Sequence, residues 1–214
     1  MTDAATRARA VVEELLCLLP SLALDEALAA EALAGDLLRP LWPGARSGGA
    51  PGRVDCTPGV DAFALTLNRP AAGNRLDRPM LADLAEGLEA ARIAVGPVVI
   101  AALGEDFCLG ADADVPTGVV RLYAALADRV TLRITGGCAN AGLGLLAAGR
   151  VVAHSGAWFA APEVAAGRLP GAGACGALLR RIGAGRARRV LIAGERICAA
   201  QALDWGLIDA LVQD

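Results

Sequence analysis

Apolar residues recur at helical spacing from the start of the chain. Ala10, Val11, Leu15, Leu18 and Leu19 form one stripe, and Pro20-Ser21 ends it. Asp25 is placed to cap a second helix over Glu26–Leu38, with leucines at 28, 33, 37 and 38. The following stretch carries Pro40, Pro43, Pro51 and glycines at 44, 48, 49 and 52, so it reads as a linker. From Arg53 onward the pattern changes. Ala62–Leu67 is a strand that stops at Asn68-Arg69-Pro70, and Arg78–Arg92 is a helix with Met80, Leu81, Leu84 and Leu88 on one face. Pro97–Leu103 is a continuous apolar run, as expected of a strand buried on both faces. A helix (Val119–Ala127), a strand (Val130–Ile134), a glycine-rich turn, a helix near Leu143–Ala148 and a strand (Val151–His154) follow. Helices over Cys175–Ile182 and Ala184–Ala193 and a short segment Ala199–Val212 complete the pattern. This alternation predicts an α/β domain with mainly parallel pairing over residues 53–214, preceded by a helical appendage and linker over 1–52.

Composition narrows the chemistry. All 20 basic residues are arginine, and the one histidine is His154. Schiff-base and Walker-type phosphate chemistry need lysine and are excluded. A catalytic triad or a histidine-rich metal centre would rest on His154 alone, which reads as structural or surface. The net charge of −3 argues against sequence-independent nucleic-acid binding. No apolar run reaches the roughly 18 residues of a membrane span. The scattered cysteines and an N-terminus carrying Asp3, Arg7, Arg9, Glu13 and Glu14 lead us to expect a cytoplasmic protein. The 3% aromatic content means that the core packs through alanine, valine and leucine.

Three glycine-rich stretches are candidates for chemistry. Gly171-Ala172-Gly173-Ala174-Cys175-Gly176 matches G-x-G-x-x-G. A dinucleotide fingerprint must follow a strand, and Pro162–Pro170 does not read as one, so the match is a decoy. The other two are Phe107-Cys108-Leu109-Gly110-Ala111-Asp112 and Gly136-Gly137-Cys138-Ala139-Asn140-Ala141-Gly142-Leu143-Gly144-Leu145. Each lies at the carboxyl end of a strand, where α/β sheets place ligands. Their backbone N–H groups can converge on a developing oxyanion; equally, the glycines can serve packing alone.

Asp61–Pro70 and then Phe107–Asp112 resemble the opening half of the enoyl-CoA hydratase/isomerase (crotonase) family. Trp158–Gly173, around Ala161-Pro162-Glu163-Val164, and the tail Gly194–Asp209 resemble its later signatures. The resemblance covers about residues 54–212. It implies a crotonase-like (ClpP/crotonase) fold with a repeated ββα core. It implies an acyl-CoA or acyl-carrier-protein thioester as substrate, with no cofactor and no metal. It also implies a homo-oligomer, trimer or hexamer, and an oxyanion hole formed by the N–H groups of Leu109 and Ala141. Glu163 matches the second of the two glutamates that hydratases use. The first falls on Gly144 or Leu143, neither of which carries a proton. One glutamate implies double-bond isomerisation or another enolate reaction, with Glu163 as acid and base. The segment between Asp112 and Thr135 is short for the family, and the chain stops where members continue into C-terminal helices. The alternative is therefore a catalytically silent subunit supporting a partner enzyme. Gly110, Asp112, Asn140 and Gly142 are candidate substrate-binding residues, with Asp112 and Asp114 also candidate caps for the next helix. The arginines at 180, 181, 186, 188 and 189 read as a solvated face or a contact for a coenzyme A phosphate.

Overall fold

The computed structural model describes residues 3–38, 50–94 and 96–212; most of the expected linker, residues 39–49, lies outside them. Helix α1 (Asp3–Leu18) ends in a 3₁₀ turn at Pro20, and α2 (Leu24–Leu38) follows. The cap of α2 differs from expectation. Glu26 accepts the Ala23 N–H at 3.0 Å, while Asp25 pairs with Arg121 at 2.7 Å. α1 buries Ala5, Ala8, Val12, Leu15 and Leu16, and these helices share one hydrophobic core with the rest of the chain.

The larger sheet runs β1 (Arg53–Pro58), β2 (Phe63–Asn68), β3 (Val98–Ala102), β4 (Val130–Ile134), β6 (Arg150–His154) and β9 (Ala210–Val212) in that spatial order. Only β1–β2 is antiparallel. Its register aligns Leu65, Ile100, Leu132 and Val151 in one fully buried row across four strands. Helix α3 (Arg78–Ile93) begins at Asp77, whose carboxylate accepts the Met80 N–H, and α4 (Thr117–Leu126) connects β3 to β4.

A second, three-stranded sheet was not expected: β5 (Gly137–Ala139), β7 (Trp158–Ala160) and β8 (Ile197–Cys198), in the order β5-β7-β8. Strands of two or three residues carry too little alternation to be read from sequence. Cys108, Cys138, Phe159 and Ile197 form its buried row, with Cys108 pairing to Cys138 as an isolated parallel bridge. The chain thus repeats a strand of the large sheet, a strand of the small sheet and a helical turn. The first such unit is β4, β5 and the 3₁₀ segment Asn140–Ala147; the second is β6, β7 and α5 (Pro162–Ala165). This is the expected ββα repeat, although the helix expected at 143–148 is part of that 3₁₀ segment. α6 (Ala174–Leu191) changes direction at Gly183 (φ 71°, ψ 167°), which matches the expected pair of helices. α7 (Ala199–Trp205) leads to β9. α1 packs on α5 and α6, and α2 on α4 and α6. Among the described residues, no helix is long and apolar enough to cross a membrane.

Candidate active site

The parallel bridge between Cys108 and Cys138 sets the two candidate turns side by side. Ala139 N–H donates to the Cys108 carbonyl at 2.8 Å, and Phe107 and Cys108 both donate to Gly137 O at 3.0 Å. Gly142 must be glycine for this approach, because a Cβ there would lie 2.4 Å from the Cys108 oxygen. Burial pushes the Cys108 thiol up to about 11 and raises Cys138 as well, so both cysteines pack rather than react.

The first oxyanion donor expected from the sequence is corrected by the geometry. Leu109 N–H is already engaged with the Gly73 carbonyl at 2.9 Å. Two residues on, Ala111 pairs with Leu76. That pairing uses the Gly110 carbonyl and the Asp112 N–H, so the N–H of Ala111 itself faces away from Leu76. Ala111 lines a cavity of about 870 Å³, and Ala141 lines it too. Ala141 is the second residue of the 3₁₀ segment, where an N–H has no partner within the turn. Gly110 (φ 136°) lets the chain turn there; a Cβ on it would meet Arg75 Nη1 at 2.9 Å.

Glu163 faces the same cavity from α5. Its Oε1 lies 2.8 Å from Arg168 Nη2 and 3.4 Å from Arg75 Nη2. Burial raises its pKa, the charges of Arg168 and Arg75 pull it back, and the net shift is upward. Asp112 lines the cavity without capping α4: its oxygens pair with Arg69 at 2.6 Å and Arg75 at 2.7 Å. Arg69 also reaches Asp77 at 3.3 Å. The alternating chain Asp77, Arg69, Asp112, Arg75, Glu163 and Arg168 thereby fixes the candidate base. Nothing in the sequence marks Glu163 as shielded from solvent, so no role was expected for these arginines.

Asn140 does not contact the cavity as a substrate ligand would. It is 3% exposed, with Oδ1 accepting the Glu163 N–H at 3.2 Å and Nδ2 donating to Leu109 O at 3.1 Å. It clamps both turns to the helix that carries Glu163. Gly142 likewise serves packing, and Gly110 shapes the turn. His154 ends β6 outside the cavity lining, with Nδ1 accepting the Gly156 N–H. Gly171–Gly176 follows a turn after α5 rather than a strand, as expected for a decoy. The arginines of α6 form the expected solvated face in large part, with Arg180, Arg186 and Arg189 exposed and the rest half-buried, and four of them have partners in the fold. Arg181 binds Ala148 O and Asp209, Arg186 binds Trp205 O, Arg188 pairs with Glu13 and Arg189 with Glu195. Among the described residues, no group of three or more His, Cys, Asp and Glu side chains is arranged for a metal ion.

The model of the family "Enoyl-CoA hydratase/isomerase" matches residues 61–214. The chain belongs to this family. The 2,3-dehydroadipyl-CoA hydratase of Escherichia coli (strain K12) is 34% identical over 161 residues, covering 67% of this chain and 63% of that protein. The 1,2-epoxyphenylacetyl-CoA isomerase of the same organism is 31% identical over 174 residues, covering 71% and 66%. An enoyl-CoA hydratase from Mycobacterium smegmatis has the same crotonase fold, with a TM-score of 0.69, 29% identity and coverage of 75% of this chain and 70% of that one. The chain thus spans less than two thirds of the hydratase it matches. Helices α1 and α2 lie outside the matched residues, yet α2 walls the cavity. The place of the first hydratase glutamate is closed here. A Cβ on Gly144 would lie 2.1 Å from the Ala172 carbonyl oxygen, and Leu143 is fully buried.

Proposed function

We propose that this chain is an acyl-CoA thioester enzyme that shifts a double bond through an enolate, that is, an enoyl-CoA isomerase. One observation carries the reading: the half-buried carboxylate of Glu163 shares a cavity with Ala111 and Ala141, while Gly144 leaves no room for a second glutamate on the neighbouring turn. The thioester carbonyl accepts the Ala111 and Ala141 N–H groups. Charge that develops on that oxygen is stabilised by dipoles already in place. Glu163 carboxylate removes the α-proton of a 3-enoyl thioester, the electrons delocalise into a dienolate, and protonation at the γ-carbon gives the 2-enoyl product. Arg168 and Arg75 offset part of the burial that raises Glu163 and so favour the carboxylate form that a base requires. A volume of about 870 Å³ leaves room for a ligand, which turnover requires. Coenzyme A as the acyl carrier is supported by the names of the relatives.

The test is Glu163→Gln assayed with short-chain 3-enoyl-CoA thioesters. Isomerisation is expected to fall by about 10²–10⁴-fold while thioester binding by calorimetry is retained. Turnover at the wild-type rate would overturn the assignment.

A further inference from the structure

The cavity holds a carboxyl group that the reaction above leaves unused. Glu31, in the middle of α2, lines it together with Ala111, Ala141 and Glu163. It is 5% exposed, and its two oxygens accept the N–H groups of Cys175 and Gly176 at 3.3 Å each, at the start of α6. The carboxyls of Asp77, Asp112 and Glu163, which also line the cavity, all sit in arginine ion pairs of 3.4 Å or less. Among the described residues, no ion pair involves Glu31, and Arg180 acts on it only through its more distant charge. The groups around it are Arg180 and the Cys175 thiol on α6, Asp36 on its own helix, and Arg168, Asp112, Asp114 and Glu163 around the cavity.

We propose that Glu31 is the acid of this reaction: it delivers a proton to the dienolate carbon opposite the one from which Glu163 takes its proton. Glu163 gains the α-proton and becomes neutral. Glu31 gives its own proton to the γ-carbon as the dienolate electrons form the new C–H bond. Exchange with solvent then returns a proton to Glu31 and removes one from Glu163. The two carboxyls are suited to opposite roles. Two arginines pair with Glu163 and offset part of its burial, whereas among the described residues no arginine pairs with Glu31, where burial outweighs the α6 amides and raises the carboxyl to about 7. After donation, its negative charge rests against the N-terminal amides of α6 and the field of Arg180.

The inference rests on the enolate reading, and isotope exchange separates the two. Wild type and Glu31→Gln are compared as full chains with short-chain 3-enoyl-CoA thioesters in deuterated water. In Glu31→Gln, isomerisation is expected to fall by about 100-fold while Glu163 still exchanges the α-protons within a few-fold of wild type. Wild-type kcat/KM should decline as pH rises through about 7, and this limb should be missing in Glu31→Gln and restored in Glu31→Asp. Isomerisation at the wild-type rate with the same pH profile would overturn the proposal. So would a parallel loss of exchange and isomerisation, which would mean that Glu31 only holds the site together. A wild-type chain that neither exchanges nor isomerises would overturn the enolate reading, and this inference with it. The wild-type pH profile needs no variant, so it stands even if a substituted chain fails to fold.

Discussion

At the scale of single residues, the site depends on side chains that never meet substrate. Asn140 adopts φ 51°, a conformation that asparagine tolerates better than most residues, and both ends of its amide are used inside the protein. Asn140→Ala leaves the Leu109 carbonyl and the Glu163 N–H unpaired and puts alanine in a left-handed conformation it tolerates less well. We expect about 2–4 kcal/mol of lost stability by urea denaturation, together with a fall in kcat. Asn140→Gly removes the strain but does not restore the lost bonds, so it should recover about 1 kcal/mol of stability and little activity. The sequence marked two turns whose amides could converge or whose glycines could serve packing alone, and the resemblance named Leu109 and Ala141 as donors. Whether Leu109 or Ala111 faces the cavity is decided by the pairing of Ala111 with Leu76, a residue from a distant segment of the chain. The roles of Arg69, Arg75 and Arg168 were hidden for the same reason: an arginine in a motif looks the same whether it meets solvent or a buried carboxylate.

At the scale of elements, α2 does what periodicity could not announce. Its buried side anchors it to α4 and α6, while Glu31 and Gly35 border the cavity. A Cβ added to Gly35 would meet nothing within 4 Å, so the space beside it is open. Gly35→Leu should therefore fold well, with helix propensity favouring it by about 0.5–1 kcal/mol. It should also shorten the longest acyl chain accepted. A chain-length series of enoyl-CoA thioesters checks this: KM is expected to rise several-fold for long acyl groups and to stay unchanged for the shortest. Equal effects across the series would show that α2 does not border the acyl group. The long elements were readable because burial on one face imposes a period of 3.6 on helices, and burial on both faces makes a strand a continuous apolar run. β5, β7 and β8 were not, because two or three residues pairing with distant partners are too few to leave a local period.

At the scale of the whole molecule, Glu31 also ties the first helices to the rest of the fold, and its protonation couples to folding. A carboxyl held at about 7 in the native state, against 4.5 for the free group, gives the folded chain more bound protons between those values. Stability from this group is therefore full below about 4.5 and declines as pH rises to about 7, by on the order of 3 kcal/mol. Chemical denaturation of wild type against Glu31→Gln should show that difference: the variant's stability falls less between acid and neutral pH, and identical slopes would refute the coupling. The amino-acid order alone was enough for the alternating α/β pattern, the glycine-bearing turns, the presence of Glu163 and the exclusion of lysine and multi-histidine chemistry. Those features are local, or follow from which residue types the chain contains. Folding in three dimensions was needed to establish that Ala111 rather than Leu109 faces the cavity, that Arg75 and Arg168 pair with Glu163, that Ala172 closes the place beside Gly144, and that Glu31 reaches the site from the N-terminal helices. Each of these depends on segments far apart in sequence meeting within a few ångströms, and the direction of an amide or the partner of a charge exists only once they have met.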